Sequence, residues 1–187
     1  MSEPTPPQAE ERTYDEYRVI EDLAGFRRTH SCNGLGVADL EATVRLMGWV
    51  QFRRDHGGLI FIDLRDREGL TQIVFSPEAA PEAHERAHAL RVEYVVAVEG
   101  VVRRRPQVMA NPNLATGEIE VVVLAWKLLN TSETPPFPIE DRVEAAEQLR
   151  LKHRYLDLRR PALAANFKLR HAACRSIRAF LDGLGFL

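Results

Sequence analysis

The sequence predicts a mainly β domain, a five-stranded barrel with one helix between its third and fourth strands, followed by a hinge and the first helices of a second domain. Three observations carry this. Residues 48–75, GWVQFRRDHGGLIFIDLRDREGLTQIVF, hold three short apolar-alternating stretches joined by two glycine-containing connections. Residues 77–91 change to helical period, and two further Val-rich stretches follow. Residues 130–138, NTSETPPFP, place three prolines in four positions and so exclude both helix and strand.

Taken in order, residues 1–25 are rich in Pro, Glu and other polar types and read as a loose tail in which Tyr14, Tyr17 and Val19 pack weakly at best. The compact domain is expected over 26–130. Its first strand, 43–53, sets Val44, Leu46 and Val50 against Arg45, Met47 and Trp49. Residues 55–58, Asp-His-Gly-Gly, read as the turn to a second strand over 59–65. There Ile60, Ile62 and Leu64 share one face, and Phe61, Asp63 and Arg65 the other. A second turn at Arg67-Glu68-Gly69 leads to a third strand over 70–76. Ala79, Ala83, Ala87 and Leu90 give an amphipathic helix over 77–91, with Pro81 in its first turn. Strands over 94–105 and 118–129 flank a loop marked by Pro106, Asn111-Pro112 and Gly117. Three strands, a helix and two strands is the order of the oligonucleotide/oligosaccharide-binding (OB) fold, whose second and third strands and adjoining loops carry the ligand. An open α+β sheet fits the same order, because closure is not encoded in the alternation.

Residues 131–150 form the expected hinge, with a short helical pattern over 139–149. Residues 151–187 open the next domain, with a helix from Pro161 to about residue 184. That helix carries an apolar stripe with no partner within the 187 residues, and the chain stops on Leu-Gly-Phe-Leu. The expectation is a front part of a longer protein, cut just inside its second domain.

Composition limits the function. A formal net charge of -2 excludes a generally basic nucleic-acid coat, so any RNA contact has to be local. Cys32 and Cys174 lack metal-ligand spacing, and His84, His88 and His171 have no partner spacing for a metal. No apolar run approaches ~18 residues and no signal peptide is recognisable, so a cytoplasmic protein without a membrane partner is expected.

On the stretches 48–75, NLATGEIEV, TPPFP and LRLKHRYLDLRRP, the chain over residues 26–187 resembles a bacterial aspartyl-tRNA synthetase. The run Arg154-Tyr155-Leu156-Asp157-Leu158-Arg159 is shared with asparaginyl and lysyl relatives, and the 59–72 stretch points to the aspartyl branch. The resemblance implies an anticodon-binding barrel, a hinge and an α+β class II catalytic domain that is truncated here. For the whole enzyme it implies a homodimer that activates L-aspartate with ATP and Mg2+ and transfers it to tRNA(Asp). It also implies that this chain holds no catalytic residue, no metal ligand and no cofactor of its own. The chain is then expected to bind tRNA and not to aminoacylate; pyrophosphate exchange catalysed by the 187 residues would contradict that. A free-standing OB-fold nucleic-acid-binding module is the competing reading.

By pattern alone, Phe61 on a polar sheet face near Arg53 and Arg54 is either a base-stacking platform or an ordinary half-buried ring. The resemblance makes Phe61 the anticodon-stacking phenylalanine and Gln72 the reader of the middle base, where an amide pairs with a uracil edge. It adds Arg54, Arg53, Arg103 and Glu120 as anticodon contacts. Glu120 can accept from guanine N1 and N2, although a cross-strand Arg103–Glu120 pair explains both residues equally well. Relatives often carry a third arginine at the position of Phe52. His56 matches the residue found in relatives that also charge tRNA(Asn). Val108 stands where such relatives carry a small residue, usually Gly, and so departs from the second half of that signature. His153, Arg154, Tyr155 and Asp157 are given a structural role at the junction.

Overall fold

A computed structural model of the chain describes residues 19–187. One compact unit ends at Thr134 and a second begins at Pro135. Tyr14 and Tyr17 lie outside the described residues. The end of the expected tail is held in place, because the Glu21 N–H donates to the Leu128 carbonyl (2.7 Å) and its carboxylate takes Arg86 (2.8 Å).

In the first unit β1 (Thr43–His56), β2 (Leu59–Arg65), β3 (Leu70–Phe75), α1 (Pro81–Ala87), β4 (Val95–Arg104) and β5 (Ile119–Asn130) follow in that order. The strands close into a barrel in the order β1-β2-β3-β5-β4, so the sheet is not open. All neighbours are antiparallel except β3 and β5, which run parallel with Ile73 opposite Val121 and Val74 opposite Val122. The expected alternation fills the interior: Val44, Leu46, Ile60, Ile62, Leu64, Ile73, Val96, Val98, Val121 and Val123 are all fully buried. The opposite face is half-buried along β2, whereas β3 is buried on both faces.

Three boundaries differ from the sequence expectation. The strand expected over 43–53 continues to His56, because Gly57 and Gly58 alone make the turn with φ of +60° and +77°. Positive φ at both central positions is the type I′ hairpin geometry that suits the strand twist. The helix expected over 77–91 is confined to Pro81–Ala87. Proline at N1 pushes the preceding Ala80 into extended backbone (φ -154°, ψ 84°), so the helix cannot run through it, and the Ala80 N–H bond to the Ser76 carbonyl (3.0 Å) closes only an isolated turn before it. The helix expected over 139–149 is absent before Glu147. There Arg160, at the start of the second unit's longest helix, donates to the carbonyls of Glu140 and Asp141, which holds residues 140–141 in a bend.

The second unit contains α2 (Glu147–Lys152), α3 (Arg154–Asp157) and α4 (Pro161–Gly183). Its organising charge is Asp157, fully buried and paired with Arg154 and with Arg160 at 3.0 Å. A buried carboxylate needs such partners, and here three guanidiniums supply them, the third being Arg150 at 3.9 Å. The apolar side chains of α4, among them Phe167, Ile177 and Phe180, are exposed.

Barrel closure relies on backbone approach at Gly100, where a Cβ would sit 2.3 Å from the Val122 carbonyl oxygen and 2.8 Å from Val121 Cγ1. Gly100→Ala is therefore expected to destabilise the barrel by about 1–3 kcal/mol. Both tryptophans, Trp49 and Trp126, lie in the barrel. Urea denaturation followed by tryptophan fluorescence isolates this unit, and an unchanged midpoint would contradict the close packing.

Candidate nucleic-acid interface

The site begins with an irregularity in β1. The β1–β2 register shifts between Val50 and Phe52: Val50 faces Leu64, and the next paired residue, Phe52, faces Asp63. One extra residue, Gln51, thus opposes no partner, and such a bulge inverts which side chains face outward. Before it Val44, Leu46 and Val50 point into the core. Beyond it Phe52, Arg54 and His56 lie opposite Asp63, Phe61 and Leu59, on the outer face. Arg53, opposite the buried Ile62, is turned to the other side. There it pairs with Asp55 (2.7 Å) and, after burial and His84, helps depress the pKa of His88.

The outer face carries a cleft of about 530 Å³, whose walls include Arg54, His56, Phe61, Gln72, Arg105 and Glu120. Of the residues singled out in the sequence, Arg54, His56, Phe61, Gln72 and Glu120 are brought together here. Arg53, Arg103 and Val108 are not among its walls. Arg103 stands opposite Glu120 in the β4–β5 register and is exposed. Val108 is 96% exposed on the loop between these strands, while the adjacent Met109 lines the cleft.

A hydrogen-bonded row crosses four strands, β1, β2, β3 and β5. Arg54 Nη2 donates to Asp63 Oδ1 (3.1 Å) and to Gln72 Oε1 (3.4 Å). Gln72 Nε2 in turn donates to Glu120 Oε2 (3.1 Å). Gln72 is only 8% exposed and Phe61 is half-buried, so an amide edge and a ring stand side by side on adjacent strands. An aromatic face with a directed amide beside it is suited to stack one base and pair with the edge of another.

The residue not singled out in the sequence is Arg105. It is 6% exposed, donates through Nε to the Ile119 carbonyl (2.8 Å), and its buried Nη2 has no partner among the described residues. Burial lowers its pKa, while Glu120 and Asp63 act in the opposite direction. An orphaned guanidinium nitrogen on a cleft wall is a donor held ready for an acceptor on a ligand. Its signal in the sequence is position, two residues after Arg103 and just before Pro106, where an alternating strand ends.

Burial raises the pKa of Glu120, and Arg105, the hydrogen bond from Gln72 and Arg103 partly offset this. The cleft walls bear two guanidiniums, Arg54 and Arg105, against three carboxylates, Asp55, Asp63 and Glu120. The walls thus carry one more carboxylate than guanidinium, and Arg103, opposite Glu120 on β4, adds a cation beside them.

Comparison with known proteins places both parts of the chain by similarity. Residues 44–129 match the model described as OB-fold nucleic acid binding domain, and residues 146–187 match that for class II tRNA synthetases (D, K and N). An aspartate–tRNA(Asp/Asn) ligase of Oleidesulfovibrio alaskensis is 64% identical over 173 residues, 92% of this chain and 28% of its own. The chain belongs to the class II aspartyl-tRNA synthetase family. A family member of the same description from Moorella thermoacetica is 56% identical over 168 residues, 90% of this chain. This chain spans 28% of the length of either relative. Among solved structures, asparaginyl-tRNA synthetase from Pyrococcus horikoshii, complexed with asparaginyl-adenylate, matches with a TM-score of 0.69 at 28% identity. That match covers 84% of this chain and 35% of the other. Aspartyl-tRNA synthetase from Entamoeba histolytica, at 20% identity and a TM-score of 0.72 over 97% of this chain and 41% of its own, shares the fold.

The shift at Glu120 has a stability consequence. Its folded pKa lies above the unfolded one, so its favourable contribution is complete below the ordinary carboxylate value and is lost as pH rises through the folded value. Relative to Glu120→Gln, the wild-type barrel is expected to lose stability across that acid window and to stay less stable at neutral pH. Paired urea titrations at acid and neutral pH measure this; a gap that narrows with rising pH would contradict it.

Proposed function

We propose that the barrel binds the anticodon of tRNA(Asp) for an aspartate–tRNA ligase, with Phe61 stacking on a base, Gln72 pairing with the middle uracil, and Arg54, Arg105 and Glu120 contacting base edges. The observation that carries this is the convergence of a ring, an amide, a carboxylate and a buried guanidinium on one cleft. The names of the relatives support aspartate as the amino acid. Class II aspartyl-tRNA synthetases in general use ATP and Mg2+. Among the described residues no group of three or more His, Cys, Asp or Glu is placed to hold a metal ion. No step through magnesium or ATP is therefore assigned to these residues. In the whole enzyme the reaction belongs to a homodimer in the cytoplasm, joining L-aspartate to tRNA. Truncating a stacked aromatic costs about 1–3 kcal/mol. Phe61→Ala is expected to weaken binding of a GUC anticodon stem-loop by roughly that amount, about 5- to 150-fold in Kd. Binding that survives Phe61→Ala unchanged would overturn the site.

The same cleft supports tRNA(Asn) as a second substrate. His56 is a cleft wall, whereas Val108 is solvent-exposed outside it, which supports reading the specificity from His56. Relatives described as aspartate–tRNA(Asp/Asn) ligases agree with this. The full-length enzyme is expected to charge transcripts with GUC and GUU anticodons at comparable rates. Strong preference for GUC alone would defeat the relaxed reading and leave the anticodon site standing.

A further inference from the structure

The middle strand of the site holds an amide whose polarity its neighbours dictate. Gln72 is almost fully buried and lies between two groups of opposite hydrogen-bonding character. On the β1 side is the guanidinium of Arg54, which can only donate, and on the β5 side the carboxylate of Glu120, which when ionised can only accept. Reversing the amide would set its NH2 against the guanidinium and its carbonyl against the carboxylate, losing two bonds and creating two repulsions. Asp63 strengthens the constraint by taking a second bond from the same Nη2 of Arg54, which keeps that guanidinium in place.

We infer that Arg54 and Glu120 act as positioning residues that lock the Gln72 amide in one orientation, so that the site accepts uracil and rejects cytosine at the middle anticodon position. The inference rests on Gln72 being the reader of that base. After its two bonds within the protein, Gln72 retains one acceptor lone pair on Oε1 and one N–H on Nε2. Uracil meets them with its N3–H and the neighbouring carbonyl. Cytosine in the same place presents an acceptor at N3 and donors at N4, so both contacts oppose. A free amide would answer cytosine by rotating half a turn. The clamp removes that response, and a buried polar pair left unsatisfied is what gives a hydrogen-bonding site its power to reject a near-isostere.

The test measures binding of the 187-residue chain to RNA stem-loops with GUC, GCC and AUC anticodons. Wild type is expected to favour GUC over GCC by on the order of 10²-fold. Glu120→Gln keeps the shape of the side chain but offers both a donor and an acceptor, so Gln72 can reverse. The GUC-to-GCC ratio should then fall to within about 10-fold. Arg54→Gln should lower the ratio from the other side of the amide. A residue that only read the first base would change the GUC-to-AUC ratio and leave the middle-base ratio intact. If wild type prefers GUC and both variants keep the full GUC-to-GCC ratio, the clamp is overturned while Gln72 remains the reader. If wild type itself does not separate GUC from GCC, the assignment of Gln72 falls, and the clamp with it.

Discussion

The parallel pairing of β3 with β5 is the constraint on which the site depends. Two register pairs, Ile73 with Val121 and Val74 with Val122, close the barrel. Closure turns the apolar alternation of all five strands inward, and the immediately preceding residues, Gln72 and Glu120, become hydrogen-bonded neighbours on the outside. These residues are 48 positions apart in sequence. Slipping either strand by one residue would exchange Gln72 with a core residue and dismantle both the interior and the cleft. The fold and the site are thus held by the same contacts, and the large apolar burial in the barrel is what keeps a row of polar side chains in register.

The bulge at Gln51 is the second determinant. A regular β1 would carry the outward parity of Arg45, Met47 and Trp49 on to Arg53 and put Arg54 inside. The extra residue reverses this, sends Arg54 to the row with Asp63 and Gln72, and leaves Arg53 to Asp55 on the other side. What results is a cleft that holds guanidiniums and carboxylates side by side. In the proposed function, affinity for the backbone of a nucleic acid comes from elsewhere on the molecule and the cleft supplies discrimination among bases. Burial of Gln72 and Arg105 sharpens that discrimination, since mismatched polar groups in a dry site cannot recover water.

Much of this was legible in the residues. The alternation over 59–65 placed Phe61 and Asp63 on one face, and the glycines at 57 and 58 marked the hairpin. Proline at 81 and 161 marked helix starts, and the charged stretch at the second unit's start carried the family resemblance. Arg105 was hidden because in a run of three arginines the sequence does not distinguish a buried guanidinium from a solvated one. The short α1 was overestimated because the alanine spacing that suggests helix extends before Pro81, where the backbone is forced out of helical conformation.

The order of elements, the inward and outward sets of β2 and of β1 up to Val50, and the family resemblance were legible in the residues, because they follow from local periodicity, turn chemistry and short motifs. Only the tertiary structure decided that the sheet closes, that the bulge selects Arg54 over Arg53, and that Gln72 lies between a donor and an acceptor contributed by strands distant in the chain. The physical reason is register: hydrophobic alternation specifies which side a residue faces, while the pairing of particular residues across strands is set by the simultaneous packing of all five strands around one core.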